Sequence, residues 1–178
     1  MKISLRNYAT CLLPPTVEVL PHGWSTPPED WIKINCDVKV GGESMCIVAL
    51  ARDHVGMVLW GATNFLNFTD PLIGEVAVCQ LALETATVRK YDFILIESDS
   101  EVVINAIKGV HSNWKIVNYL SVCNQLSKKF LSCNFSFIPR SCNFAAHNVA
   151  RWAYAQNILD IVEPSAIPNT ILCNNCEV

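Results

Sequence analysis

Trp31-Ile-Lys-Ile-Asn-Cys-Asp37 decides how the rest of the chain is read. Apolar side chains recur at every second position and the run closes on a carboxylate, the pattern of a half-buried β-strand that delivers an acid at its end. Two more acids fall at comparable joints: Glu75 in the opening turns of an expected helix, and Asp99 in Ile96-Glu-Ser-Asp-Ser100. Carboxylates gathered beside apolar strand ends repel one another and resist desolvation. A divalent cation keeps several of them ionised together, so the three acids point to a metal site.

Outward from that strand, residues 45–52 and 57–64 are apolar runs separated by Asp53-His-Val-Gly56, whose glycine can take the positive φ of a hairpin. Thr69-Asp70-Pro71 marks a helix start, and 72–90 is expected as an amphipathic helix with Val78, Leu81, Ala82, Thr85 and Val88 on one side. Residues 93–96 suit a strand buried on both faces, with Ser100 positioned to cap a helix over 101–108. A helix over 116–130, a strand over 134–138 and a closing helix over 144–156 complete the pattern. Strand-to-helix crossovers demand parallel neighbours and the hairpin demands antiparallel ones, so the sheet is mixed and the class is α/β. Three segments are expected: a Pro-rich leader at 1–30, one domain at 31–157 and an irregular tail at 158–178.

The 178 residues are 51% hydrophobic and 16% charged, which suits one core and not two large domains. No secretory signal opens the chain and its uncharged stretches are interrupted, so a soluble intracellular protein without a membrane partner is expected, with nucleus and cytoplasm equally open. Nine cysteines, an odd number spread through apolar stretches, suggest reduced core residues. Thirteen Lys and Arg against 16 Asp and Glu give a net charge of −3 and no cationic block. Any nucleic-acid contact would rest on a few placed side chains and weaken with salt.

Taken in order, several motifs resemble those of type 1 ribonuclease H, and within that fold the plant retroelement-derived, reverse-transcriptase-associated domains. They are the first strand with Asp37, Ala51-Arg-Asp-His-Val-Gly56, Glu75-Val-Ala-Val-Cys-Gln-Leu-Ala-Leu-Glu84, Glu97-Ser-Asp-Ser100, and Ile138-Pro-Arg-Ser-Cys-Asn143 followed by Ala146-His-Asn-Val-Ala-Arg151. The resemblance spans about residues 24–156. It implies a ribonuclease H-like five-stranded mixed sheet of order 3-2-1-4-5 with helices on both faces. It also implies endonucleolytic cleavage of the RNA strand of an RNA–DNA hybrid by a two-metal mechanism with Mg²⁺ (or Mn²⁺). Asp37, Glu75 and Asp99 would hold the metal, and His147 would join them as the fourth catalytic position. Lys39, Gly41, Gly42, Arg140 and Asn143 would meet the nucleic acid. Two departures stand out: Val38-Lys39 follows the first acid in place of the usual small pair, and His147 stands where the family pattern has a carboxylate. Imidazole suits Mn²⁺ better than Mg²⁺, so a shift in metal preference or loss of a second ion is expected. The related proofreading exonucleases carry Asp-x-Glu on the first strand, and Lys39 disfavours that branch.

Plainer readings remain open beside these. Asp37 and Asp99 are also residues that cap loops, Glu75 suits a helix dipole, and His147 can be a partly exposed polar residue with no chemistry. The tryptophans read as core and edge packing, Lys128-Lys129 as a solvated face, and Cys173-Asn-Asn-Cys176 as too few ligands for zinc. The rival functions are a nucleic-acid-binding module with weakened or lost catalysis, and a scaffold for protein partners that the sequence does not identify.

Overall fold

The computed structural model describes residues 23–173. Its sheet is built outward from β1 (Trp31–Val40), which pairs antiparallel with β2 (Met45–Arg52) and parallel with β4 (Phe93–Ser98). Beyond these lie β3 (Val58–Leu66), antiparallel to β2, and β5 (Ser132–Phe137), parallel to β4. The turn between β2 and β3 closes as its sequence demands. Asp53 Oδ1 accepts hydrogen bonds from the Val55 and Met57 backbone N–H groups, and Gly56 sits at φ +84°.

Three expectations are corrected here. The sheet has six strands, in order β5-β4-β1-β2-β3-β6, because a short β6 (Asp160–Val162) pairs with the otherwise open edge of β3. The described residues after Asn157 are therefore not an irregular tail; they also include a short helix α5 (Asn169–Leu172). Moreover, β1 does not end at Asp37. It runs on to Val40 against β2, with residues 33–37 buried throughout, as befits a central strand covered on both faces.

Helix α1 (Pro71–Val88) begins where the sequence signals it: Pro71 is in the first turn and Asp70 Oδ1 accepts from Leu72 N–H at 3.1 Å. Its buried set is wider than one stripe and includes Val76, Cys79, Leu83 and Ala86, whereas Val88 is exposed. The reason is its setting between the sheet and α3 (Val117–Ser127), which also explains why α1 is long and apolar enough by composition to pass for a membrane span. Helix α2 (Glu101–Ile107) follows β4; Ser100 precedes it without a side-chain cap, its N–H instead bonding Ser98 Oγ. Helix α4 (Phe144–Gln156) covers the opposite face with a second apolar cluster of Cys46, Val48, Leu50, Val149 and Ala153. Every cysteine among the described residues is unpaired, and all but Cys133 and Cys173 are buried. Trp60 is core, but Trp114, expected as packing, is 82% exposed. Cys176 and residues 1–22 lie outside the described residues.

One glycine sets how closely α1 approaches the sheet. A Cβ on Gly74 would come within 2.5 Å of Met45 Sδ and 3.1 Å of Val38 Cγ1. Helix propensity alone favours alanine there by about 1 kcal/mol, while overpacking costs about 1–3 kcal/mol. Gly74→Ala should therefore lower the thermal midpoint, and calorimetry showing a higher one would mean that α1 has room to spare.

Candidate metal centre

The parallel ladder between β1 and β4 ends at the pair Cys36 and Ser98. The next residue on each side is an acid, Asp37 and Asp99, so both carboxylates stand at the crevice where β4 stops and β1 continues alone against β2. Crevices at the carboxyl ends of parallel strands are open to ligands because the backbone there diverges. Gly74 lets α1 close on Val38 and Met45, and the next residue, Glu75, completes the group. Oxygen atoms of Asp37, Glu75 and Asp99 lie within 4.8 Å of one another, the one such three-acid set among the described residues.

Each acid is held by its neighbours. Ser98 Oγ–H donates to Glu75 Oε2 at 3.2 Å and accepts from Ser100 N–H at 3.0 Å. His147 Nδ1, from α4, lies 2.9 Å from Asp37 Oδ2, and Arg140 Nη2 is 3.5 Å from the same ring nitrogen. Asn143 ties α4 to the centre of the sheet: its side-chain amide donates to the Cys36 carbonyl at 2.8 Å and, more weakly, to Asp99 Oδ1 at 3.5 Å.

Of the residues expected to meet nucleic acid, Asn143 is fully buried and its amide is committed to that internal tie, which corrects the expectation of a contact there. Arg140 is exposed beside His147, and Lys39 is half-buried on β1 past Asp37. Gly41 and Gly42 form the turn after β1. A side chain on Gly41 would overlap the Tyr154 ring, so this glycine permits close packing of α4 on the turn, and Gly42 stays exposed. Ser98 was not singled out by its sequence, although its place one residue before Asp99 is the signal that would have found it.

Burial and the Asp37 and Asp99 charges push the Glu75 carboxyl up to about 8, against the opposing pull of the Ser98 hydroxyl and the Arg140 guanidinium. Burial first, then Asp99, raises Asp37 to about 6, with His147 pulling the other way. Protonation is thus how the cluster lowers its own repulsion when no cation is bound. The donor set, three carboxylates and no thiolate, is what a hard divalent cation takes. The residues present therefore fit such an ion, with Asp37, Glu75 and Asp99 as its holders and His147 already engaged by Asp37.

A profile of the reverse transcriptase-like family matches residues 35–153, a span that holds all three acids and His147. No curated protein matches the chain. Among solved structures, ribonuclease H1 of the halophilic archaeon Halobacterium salinarum NRC-1 superposes with a TM-score of 0.66 at 17% identity, over 71% of this chain and 98% of that one. LC11 ribonuclease H1, isolated from compost and solved in complex with an RNA/DNA hybrid, gives 0.63 at 18% identity over 71% and 99%. The foamy viral protease-reverse transcriptase, also in complex with an RNA/DNA hybrid, gives 0.55 at 12% identity, over 82% of this chain and 21% of the viral one. Likeness at these identities is a likeness of fold.

A carboxyl whose folded value is raised binds its proton more tightly in the folded than in the unfolded state. Stability then falls as pH rises, from the unfolded value near 4.5 to the folded value near 8 for Glu75, and over 3.8 to about 6 for Asp37. In chelator the thermal midpoint should drop across this window, and Glu75→Gln should flatten its upper half. A wild-type midpoint that climbs from pH 6 to 8 would show that Glu75 ionises without penalty.

Proposed function

The chain belongs to the reverse transcriptase-like family, as a ribonuclease H-like domain of the retroelement type, and on that premise we propose that it hydrolyses the RNA strand of RNA–DNA hybrids. The observation that carries the reading is the meeting in one crevice of Asp37 from β1, Glu75 from α1 and Asp99 from the turn after β4. A divalent cation bound there, Mg²⁺ or Mn²⁺, would neutralise charge on a phosphodiester and lower the pKa of an attacking water. The chain's own groups supply the rest. Ser98 orients Glu75, His147 orients Asp37, and Asn143 fixes α4 so that His147 stays in reach. Arg140, exposed beside His147, would take a phosphate oxygen, and Lys39 with the turn at Gly41 and Gly42 would add further contacts. RNA would be told from DNA through its 2′-hydroxyls across the shallow minor groove.

A second reading, a hybrid-binding module with weakened turnover, is favoured by one contact. The 2.9 Å approach of His147 to Asp37 replaces a fourth oxygen donor and occupies one of the Asp37 oxygens. The two readings part on labelled hybrid, duplex DNA and duplex RNA incubated in Mg²⁺ and in Mn²⁺. Hydrolysis confined to the hybrid and lowered at least about a hundred-fold by Asp37→Asn supports the nuclease; hybrid retained on a filter without cleavage in either metal supports the module. His147→Asp, which restores an oxygen donor, should raise Mg²⁺ turnover relative to Mn²⁺ by roughly ten-fold. Equal, fast turnover of the wild type in both metals would remove His147 from any role in metal choice.

A further inference from the structure

β1 also carries a buried cluster of the opposite sign. Lys33, Asn35 and Asp37 share one face of the strand by simple alternation. Lys33 Nζ lies 2.8 Å from Glu97 Oε1, and the Asn35 amide donates to Glu97 Oε2 at 2.9 Å. Asn35 Oδ1 in turn accepts from Arg52 Nη2 at 2.8 Å and from the Trp24 indole N–H at 3.0 Å. Lys33, Arg52 and Glu97 are 2%, 7% and 6% exposed. Two cations thus share one carboxylate where water is excluded, and buried charge is retained only when it is paired.

Arg52 is the cation in surplus. Lys33 and Glu97 form a direct ion pair, while the Arg52 guanidinium stacks on the Trp24 ring, its Cζ 3.5 Å from the centroid. Among the described residues its Nε–H is buried with no partner. Burial draws this guanidinium down to about 10 despite the opposing pull of Glu97, a mark of incomplete compensation.

The same arginine lines a cavity of about 270 Å³ whose apolar walls include Trp24, Phe144 and Leu172. Phe144 and Ala145, also in the lining, are the first two residues of α4, a helix of 13 residues. The residue before them, Asn143, directs its amide to Cys36 and Asp99, so no side chain among the described residues caps the helix. Its opening N–H groups and the positive end of its dipole are left for a ligand.

We propose that this cavity is an anion site that takes a phosphate group carried on a small apolar or aromatic body. A phosphate has enough acceptor oxygens to meet the guanidinium and the helix N–H groups together, and helix N-termini and arginine both favour it. The volume exceeds what a bare ion fills, and Trp24, Phe144 and Leu172 supply surface for the rest of the molecule. None of the three acids lines it, so the site stands apart from the metal centre.

The test uses the full chain in chelator, with indole and backbone amide shifts followed by NMR during titration with inorganic phosphate, adenosine monophosphate and acetate at constant ionic strength. Saturable shifts of the Trp24 indole and the Phe144 and Ala145 amides are expected in the millimolar range or below. Arg52→Met should weaken binding by about ten-fold or more. That variant keeps the Lys33–Glu97 pair and the Trp24 bond to Asn35, and so retains the cluster with its charges balanced. Leu172→Glu, set against Leu172→Gln, gives a second comparison away from the cluster: the acid should oppose the phosphate and the amide should not. A stronger response to the monophosphate than to inorganic phosphate is expected from the apolar walls; an equal response would overturn the organic body. Absence of saturable shifts, unchanged binding in Arg52→Met, equal binding by the two Leu172 variants, or acetate binding as tightly as phosphate would overturn the proposal.

Discussion

The structure depends on the place where two parallel strands stop sharing a ladder. β1 and β4 are bonded up to Cys36 and Ser98, and the next residue of each is an aspartate. Because β1 is central and continues against β2, its carboxylate is held rigidly in a buried position. Because β4 ends, a crevice opens beside it. Glu75 reaches that crevice only because Gly74 lets α1 settle on Val38 and Met45. Burial first, and then repulsion among the three acids, raises the carboxyls of Asp37 and Glu75.

His147 changes the character of this crevice. By engaging Asp37 it offsets part of the negative charge without a metal, and Arg140 alongside adds a cation at the rim. A fourth carboxylate would deepen the demand for cations; an imidazole lessens it. The two proposed readings, hydrolysis and simple binding, therefore differ over one contact between α4 and β1, which Asn143 holds in register through the Cys36 carbonyl.

The polar face of β1 links two sites of opposite electrostatic sign. Asp37 serves the acidic crevice, and Lys33 and Asn35 serve the cluster with Arg52 and Glu97. In a strand covered on both faces these polar side chains persist only by bonding to one another. Trp24 seals the second cluster from upstream of the sheet, which gives a physical role to part of the proline-rich segment.

Local rules of alternation, turn chemistry and helix signals were enough to read the α/β class, the hairpin at Asp53 to Gly56, the helix signal at Asp70-Pro71 and the extent of α4 from the sequence, whereas Asp37, Glu75 and Asp99 were singled out together through the ordered motifs of a family. Some features were decided only in three dimensions. The three residues of β6 are too few to show a pattern and become a strand because the edge of β3 offers them a partner. That Asn143 turns inward, that Asp37 lies within a strand and not at its end, and that Arg52 bonds Asn35 while Lys33 takes Glu97 all depend on contacts between residues far apart in the chain. Periodicity reports which side chains are apolar; only packing fixes which polar ones are buried with them, and against what charge.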